Sequence, residues 1–303
     1  MALFYLEWLN EAMQQVNFSA EKINAVINLY KKICDDEKAS RIFHSTIALY
    51  ENGFSCDFKS ITENIDFCIE KISGEHKFTG HLLAVLTMAK HTKEIYKNKK
   101  LTVEGFQGIL NDLKVKSDEC FANYGVVGIS NLPWYERFLN CTRYVLGRLQ
   151  FEPNIFKWDD VEINGCWLKK GDTVISVHIP GGEKLQKEDC IESFLMAEEF
   201  FKGIKKDGAL PFSCISWLLH PSLREVLPEG SNILQFSEFF RCVYSAEQEE
   251  NLVRIFGRVD FKNKENLPEK TSLQRAYKKY LLKGGNIGIG VGYFFIKDKK
   301  FIK

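Results

Sequence analysis

The sequence predicts an α+β protein in two parts: a helical bundle over residues 1–135 and a mixed α/β domain over 136–303. Three observations carry this. Apolar residues recur at helical spacing almost without a break from residue 3 to residue 120. The pattern changes after "NLPWYE" (131–136), where strand-like runs begin to alternate with helical ones. At 303 residues, 45% hydrophobic and 13% aromatic, the chain is long enough for two cores and too apolar to be disordered.

The amino-terminal elements follow in order. In "SAEKINAVINLYKKIC", Ile23, Val26, Ile27, Tyr30, Ile33 and Cys34 share one face and Ser19 is placed to cap. "SITENIDFCIEKI" opens with Ser60 and Glu63 at capping-box spacing and sets Ile61, Ile65, Cys68 and Ile72 on one stripe. "HLLAVLTMAKHTKEIY" and "TVEGFQGILNDLKV" are two further helices, and short polar turns join them into a bundle. His44, His76, His81 and His91 lie in or beside these helices with no matching carboxylates, so they are assigned to packing or surface. In the second half, "GRLQFEPNIF", "DTVISVHIP", "PFSCISWLL", "FFRCVYSA" and "IGIGVGYFFI" have the composition of strands. "LQKEDCIESFLMAEEFFKGI" returns to helical period, and "TSLQRAYKKYLLKGG" is a helix with Thr271 and Gln274 at capping-box spacing and Gly284 at its end.

Charge and cysteine usage narrow the class. Lys and Arg number 41 against 40 Asp and Glu, a net charge of +1, which gives no electrostatic reason for a nucleic acid or an anionic membrane as partner. The runs "KNKK" (97–100) and "KDKK" (297–300) are short and read as solvated ends. Nine cysteines without a CxxC pair, and six histidines without a ligand pair, fit neither a disulfide framework nor a metal site. A reduced, cytoplasmic setting is expected. "MALFYLEWLNEAMQQV" lacks the basic start and apolar block of a secretory leader, and no window is long and apolar enough to span a membrane.

Four segments carry a resemblance: "GRLQFE" (147–152), "ISVHIPGGEKL" (175–185), "SWLLHPSLREVLPEGSNILQF" (216–236), and "LPEKTSLQRA" (267–276) followed by a Gly-rich strand. In this order they resemble a family of bacterial two-domain acyltransferase-related proteins. Its amino-terminal half is helical and its carboxyl-terminal domain is GNAT-like. The resemblance covers nearly the whole chain. The chain departs from the family at His220, where an acidic residue is usual, and at Lys187, where a Pro is usual. The resemblance implies transfer of an acyl group from an acyl-CoA or acyl-carrier thioester to an amine of a small acceptor. It implies no bound cofactor beyond that co-substrate, names no substrate, and brings no catalytic residue with it.

The site is therefore argued from chemistry. Attack of an amine on a thioester needs a base for the amine proton, a donor for the thioester oxygen and an acid for the thiolate. In "VISVHIP", Val174, Ser176 and His178 share one strand face, and His178 stands near the carboxyl end, where sheet proteins place chemistry. His178, or Glu183 five residues on, is the expected base. "HIPGGEKLQKEDC" has a strand–turn–helix shape in which Gly181 and Gly182 offer bare amides to a phosphate, although Glu183, Glu188 and Asp189 oppose an anion there. The glycines of "GGNIGIGVG" precede a strand and not a helix, so close packing is the better account of them.

The densest stretch of reactive residues is "CISWLLH", with Cys214, Ser216, Trp217 and His220. At roughly 3.3 Å per residue along a strand, Ser216 and His220 stand about 13 Å apart and cannot form a nucleophile–base pair. Cys214 or Ser216 lines a site only if His178 is delivered beside them from a neighbouring strand. Trp217 is expected in the core or as a wall of an acyl pocket, Asn232 as a cap or a group orienting the substrate, and Arg275 as a helix-surface residue or a partner for an anion. Two rivals stay open: a GNAT-like fold that binds a ligand or protein without catalysis, and a hydrolase with Ser216 or Cys214 as nucleophile.

Overall fold

The computed structural model describes residues 4–53 and 57–303. They form two compact units that divide between Val145 and Leu146. Met1, Ala2 and Leu3, the start of the stretch compared with a secretory leader, lie outside the described residues.

The first unit is helical: α1 (Leu6–Gln15), α2 (Ala20–Asp35), α3 (Glu37–Glu51), α4 (Phe58–Ile69), α5 (Lys77–Asn98), α6 (Val103–Tyr124) and the short α7 (Glu136–Leu139). Its centre is α5, where every residue from Thr79 to Ala89 is buried. A helix apolar on all sides must be surrounded, and α1, α2, α3, α4 and α6 pack around it. Trp8 Nε1 donates to the Leu86 carbonyl at 2.8 Å, tying α1 to that centre.

Ser19 caps α2 by accepting from the Lys22 amide. The α4 start differs from the expectation: Asp57, not Ser60, is the cap, accepting from the Lys59 amide. Burial of Phe58 explains the earlier start, because it adds an apolar anchor one turn upstream of Ile61. The histidines are structural, but one of them does have a carboxylate. His81 Nε2 lies 2.6 Å from Asp66 Oδ1, and burial pulls its pKa down against that partner. His44 Nδ1 bonds the Ser40 carbonyl at 2.8 Å, His76 caps α5, and His91 sits edge-on to Tyr50.

The second unit is a mixed sheet with helices. Its sheet begins with β1 (Tyr144–Leu146), which runs across the boundary, and the chain continues with β2 (Leu149–Ile155), β3 (Val161–Ile163), β4 (Cys166–Leu168), β5 (Thr173–His178), α8 (Lys187–Phe200) and β6 (Leu210–Ser216). There follow α9 (Leu223–Val226), α10 (Asn232–Ser237), β7 (Arg241–Glu247), α11 (Leu252–Phe256), α12 (Ser272–Leu282), β8 (Gly288–Lys297) and β9 (Lys300–Ile302). The main sheet runs β1-β2-β5-β6-β8-β7, with β9 also on β8; β3 and β4 form a separate hairpin. β2 pairs with β5 and β6 with β8 antiparallel, whereas β5 and β6 run parallel, joined by the α8 crossover.

Strand alternation gives the sheet two unlike faces. On one face Phe151, Phe212 and Phe294 meet Phe194 of α8, whose ring also contacts Phe239, Phe240 and Phe301, all with centroids 4.9–6.2 Å away. The other face has a small core of Phe156, Ile163, Leu168, Val174, Tyr293 and Phe295 at the β3–β4 hairpin, and a row of polar residues beside it. A third cluster joins α9, α11 and α12 through Leu223, Phe256, Tyr277 and Leu281. Thr271 and Gln274 form the expected capping box, and Gly284 takes the left-handed conformation (φ +87°) just past the end of α12.

Phe194 touches six other rings, so its removal opens a cavity that no single neighbour can fill. Phe194→Ala is expected to destabilise the sheet unit by about 3–5 kcal/mol, measured as a shift of its denaturant transition.

Candidate active site

The parallel pairing of β5 with β6 is short. It joins Ile175 to Phe212 and Ser176 to Ser213, while β5 runs on to His178 and β6 to Ser216. Each strand keeps its other neighbour there, Gln150 of β2 opposite His178 and Gly290 of β8 opposite Ser216. The two carboxyl ends therefore part from each other, and ligands of open α/β sheets bind at such points. His178 stands on one lip of the opening. Ile215, 57% exposed, and Ser216 stand on the other.

The face that carries His178 is polar. Glu152 of β2 is buried, and its Oε2 lies 3.4 Å from His178 Nε2. The other carboxylate oxygen, Oε1, accepts from Asn154 Nδ2 at 3.0 Å, and the same amide donates to Ser176 Oγ at 3.0 Å. Ser176 Oγ is 3.3 Å from Ser213 Oγ across the parallel pair. One polar string thus crosses three strands, from the imidazole through a carboxylate and an amide to two hydroxyls.

β5 and β6 are neighbours, but their register puts neither Cys214 nor Ser216 on the face of His178. Alternation from the Ser176–Ser213 pair places His178 on the face of Ser213 and Ile215 and Cys214 on the face of Val177. Cys214 is 1% exposed among the aromatic core, and burial pushes its thiol pKa far up, so it is an inert packing residue. Ser216 accepts from the Leu218 amide at 3.1 Å, capping the turn Trp217–Leu219. It stands at the mouth of the opening, with its hydroxyl occupied as a cap.

The other predicted residues are spread around this unit. Glu183 is exposed in the loop after β5, and the carbonyls of Glu183 and Lys184 are held by the Arg148 guanidinium at 2.8 and 3.2 Å. The carboxylate the structure gives to His178 is Glu152. Gly181 and Gly182 are exposed in that loop, and Gly182 has φ +91°. α8 begins six residues past Gly181, with Gln186 at its cap making no side-chain cap bond and Glu188 and Asp189 in its first turn. Asn232 Nδ2 donates to Gln186 Oε1 at 3.2 Å, while Ser231 makes the cap of α10. Trp217 packs edge-on against Tyr277. Arg275 donates to the carbonyls of Glu269 and Lys270, holding the approach to α12. His220 bonds Ser222 Oγ at 2.7 Å, and partial burial lowers its pKa.

Glu152, Asn154 and Ser213 were not picked out from the sequence. The signal was present in "LQFEPNI", where Gln150, Glu152 and Asn154 alternate with Leu149, Phe151 and Pro153. A charged residue on a strand flanked by core positions is costly unless it has a task.

A helical bundle followed by a mixed sheet whose parallel pair β5–β6 parts at its carboxyl ends defines a two-domain, GNAT-like protein. The family model described as the N-acyltransferase N-terminal domain matches residues 7–141, and that of the GNAT-like C-terminal domain matches 144–294. The chain belongs to the family that joins these two domains. No curated protein matches the sequence. Solved structures similar to it include an acyltransferase in complex with decanoyl-CoA and teicoplanin, 18% identical with a TM-score of 0.72 over 95% of this chain and 87% of that one. An acyltransferase mutant in complex with octanoyl-CoA is 18% identical, with a TM-score of 0.72 over 96% of this chain and 88% of the other. An acyltransferase in complex with decanoyl-CoA is 19% identical, with a TM-score of 0.71 over 93% and 85%. At such identities the likeness is one of fold. Among the described residues no group of three or more His, Cys, Asp or Glu is placed to hold a metal, and no helix is long and apolar enough to cross a membrane.

The placement of the thiols makes a prediction. Iodoacetamide applied to the native protein is expected to label exposed Cys242 and leave buried Cys214 unmodified until denaturant is added, as read by peptide mass spectrometry. Rapid native labelling of Cys214 would restore it as a nucleophile candidate.

Proposed function

We propose that this protein transfers an acyl group from an acyl-CoA, or an acyl-carrier thioester, directly to an amine of a small acceptor. The observation that carries the reading is the opening between β5 and β6 with His178 on its lip. The parting of the two strand ends gives the extended arm of a thioester a place to lie, bringing its carbonyl to the imidazole. The similar structures that hold decanoyl-CoA and octanoyl-CoA support this donor class, and the one that also holds teicoplanin supports a non-protein acceptor.

In this reading the amine nitrogen bonds to the thioester carbonyl carbon while His178 takes its proton. The carbon–sulfur bond then breaks, and the imidazolium returns the proton to the thiolate. Ser216 lines the mouth, Trp217 backs the turn beneath it, and the exposed amides of Gly181 and Gly182 face the donor's phosphates. Glu183, Asn232 and Arg275 shape the surrounding loops and helix ends. Free thiols at the eight described cysteines support a cytoplasmic setting, and the near-balanced charge of +1 favours neither a nucleic acid nor an anionic membrane as partner.

The second reading is a GNAT-like module that binds without catalysis. It is favoured by one feature, the acidic first turn of α8, where Glu188 and Asp189 oppose a phosphate. Titration calorimetry with CoA and decanoyl-CoA separates the readings, together with an assay for amide formed from decanoyl-CoA and a panel of primary amines. Binding of both ligands and turnover of the thioester are expected. His178→Ala is expected to lower kcat by about 10²–10⁴-fold and leave the KM for acyl-CoA near its original value. Heat absent at millimolar CoA would overturn the CoA-donor reading, and binding with no turnover would favour the module.

A further inference from the structure

We propose that the apolar row Ile215–Val291–Tyr244, which leads away from the opening across β6, β8 and β7, is the bed for the donor's acyl chain and favours a chain of medium length. This bed rests on the acyl-transfer reading of the opening, and it supplies the acyl class that the reading leaves open.

The row is a product of register. Ile215 of β6 stands opposite Val291 of β8, and Val291 stands opposite Tyr244 of β7. Residues directly opposite in neighbouring antiparallel strands share a face, with Cβ atoms about 5 Å apart. The row therefore starts at the lip formed by Ile215 and lies on the face that also carries His178. β8 sorts its side chains by face: Gly288, Gly290 and Gly292 go to one side, and Ile289, Val291, Tyr293 and Phe295 to this one. Tyr293 and Phe295 belong to the core at the β3–β4 hairpin, and Val291 packs half-buried against its edge. Beyond Val291 the cover ends, with Ile215 57% and Tyr244 60% exposed. Large apolar side chains that adjoin one another, continue a core and stay open mark a binding surface.

Tyr244 does not reach this face by plain alternation. Cys242 stands opposite Gly292, so a regular ladder would set Val243 opposite Val291 and turn Tyr244 to the glycine side. A bulge between Cys242 and Tyr244 adds one residue and brings Tyr244 opposite Val291 instead. The Cys242 thiol donates to the Tyr244 carbonyl at 3.3 Å across it. The irregularity interrupts the ladder, and its effect is to place an aromatic ring at the far end of the row.

Continuity with the opening and the absence of charge select the occupant. A thioester whose carbonyl lies between β5 and β6 has its acyl carbons next to Ile215. From Ile215 to Tyr244 the row crosses two strand spacings, about 10 Å. With carbon–carbon bonds of about 1.5 Å, an extended chain of about eight carbons covers that distance. Full burial of a methylene is worth about fourfold in affinity, and a chain lying on an open face gains about half of that free energy, roughly twofold per methylene.

Calorimetry of the full chain with CoA and with acetyl-, butyryl-, hexanoyl-, octanoyl-, decanoyl- and dodecanoyl-CoA tests the bed without requiring turnover. Affinity is expected to rise about twofold per methylene from butyryl to octanoyl and to level off by decanoyl, where the chain passes Tyr244 at the sheet edge. Ile215→Ser combined with Tyr244→Ser is expected to flatten the series and leave CoA itself bound as before. Both side chains are more than half exposed, so neither change empties a core. Trp158→Ser, at a 58% exposed indole between β2 and β3, is the control for general stickiness and is expected to keep the slope. A flat wild-type series, a slope that survives the paired substitution, or a slope lost equally in Trp158→Ser overturns the bed. Absence of binding by CoA and every acyl-CoA overturns the CoA-donor reading and the bed with it. A wild-type slope that the paired substitution abolishes, in protein that forms no amide, overturns the transfer reading and upholds the bed.

Discussion

The structure of the second unit depends on the two-residue parallel pairing between β5 and β6. A longer ladder would zip the strands to their ends and leave His178 beside a closed sheet. A missing one would let the sheet fall into two antiparallel halves, β1-β2-β5 and β6-β8-β7. The pairing survives at this length because both faces clamp it. On one face Phe212, stacked on Phe294 at 4.9 Å, is held under Phe194 of α8. On the other, Ser176 and Ser213 meet at the last paired position and join the string that reaches Glu152. Dispersion holds the first face and directional hydrogen bonds the second, so the register is fixed by two independent means.

Glu152 shows what the second face is for. A carboxylate buried at 3% exposure loses its hydration, and only well-aimed partners offset that loss. An aliphatic residue in its place, continuing the apolar character of the Phe156–Val174–Tyr293 core, would serve the sheet without that cost. The amide of Asn154 satisfies one oxygen of Glu152 while reaching Ser176, which fixes these side chains across two strands. The string therefore trades some stability for a fixed geometry at the lip of the opening. By contrast, the pair His81–Asp66 in the first unit also joins an imidazole to a carboxylate, but it ties α4 to α5 within the helical bundle.

Much of this was legible in the sequence. Period located α2, α4, α5, α6, α8 and the glycine-ended α12, because burial of one face imposes that period directly, and composition marked the longer strands β2, β5, β6, β7 and β8. His178 was legible as a strand-end histidine, and its sharing of a face with Ser176 followed from alternation. Its partners were not, since they come from register, which depends on how two strands distant in sequence align. The one-residue alternation of β6 made the difference: it turned Cys214 into the phenylalanine core and presented Ser213 instead. The start of α4 at Asp57 was missed for a similar reason, because a buried Phe58 outweighed a capping-box spacing that looked complete. The β3–β4 hairpin, with strands of three residues each, is too short to leave a periodic trace.

The glycines of β8 complete the account of the opening. After Ser216, β6 ends in the turn Trp217–Leu219, and that turn lies directly on β8. A Cβ on Gly290 would stand 2.3 Å from the Leu219 carbonyl oxygen, and one on Gly288 or Gly292 would strike His220 or Phe240. Only a strand without side chains at these alternate positions lets the turn settle there. The chain leaving β6 is thereby drawn toward β8, the neighbour on the side away from β5, and Ser216 secures the departure by capping the turn. The glycine stripe of β8 is thus the close-packing surface that its sequence suggested. Its service to the site is to hold one lip of the opening apart from the lip that carries His178.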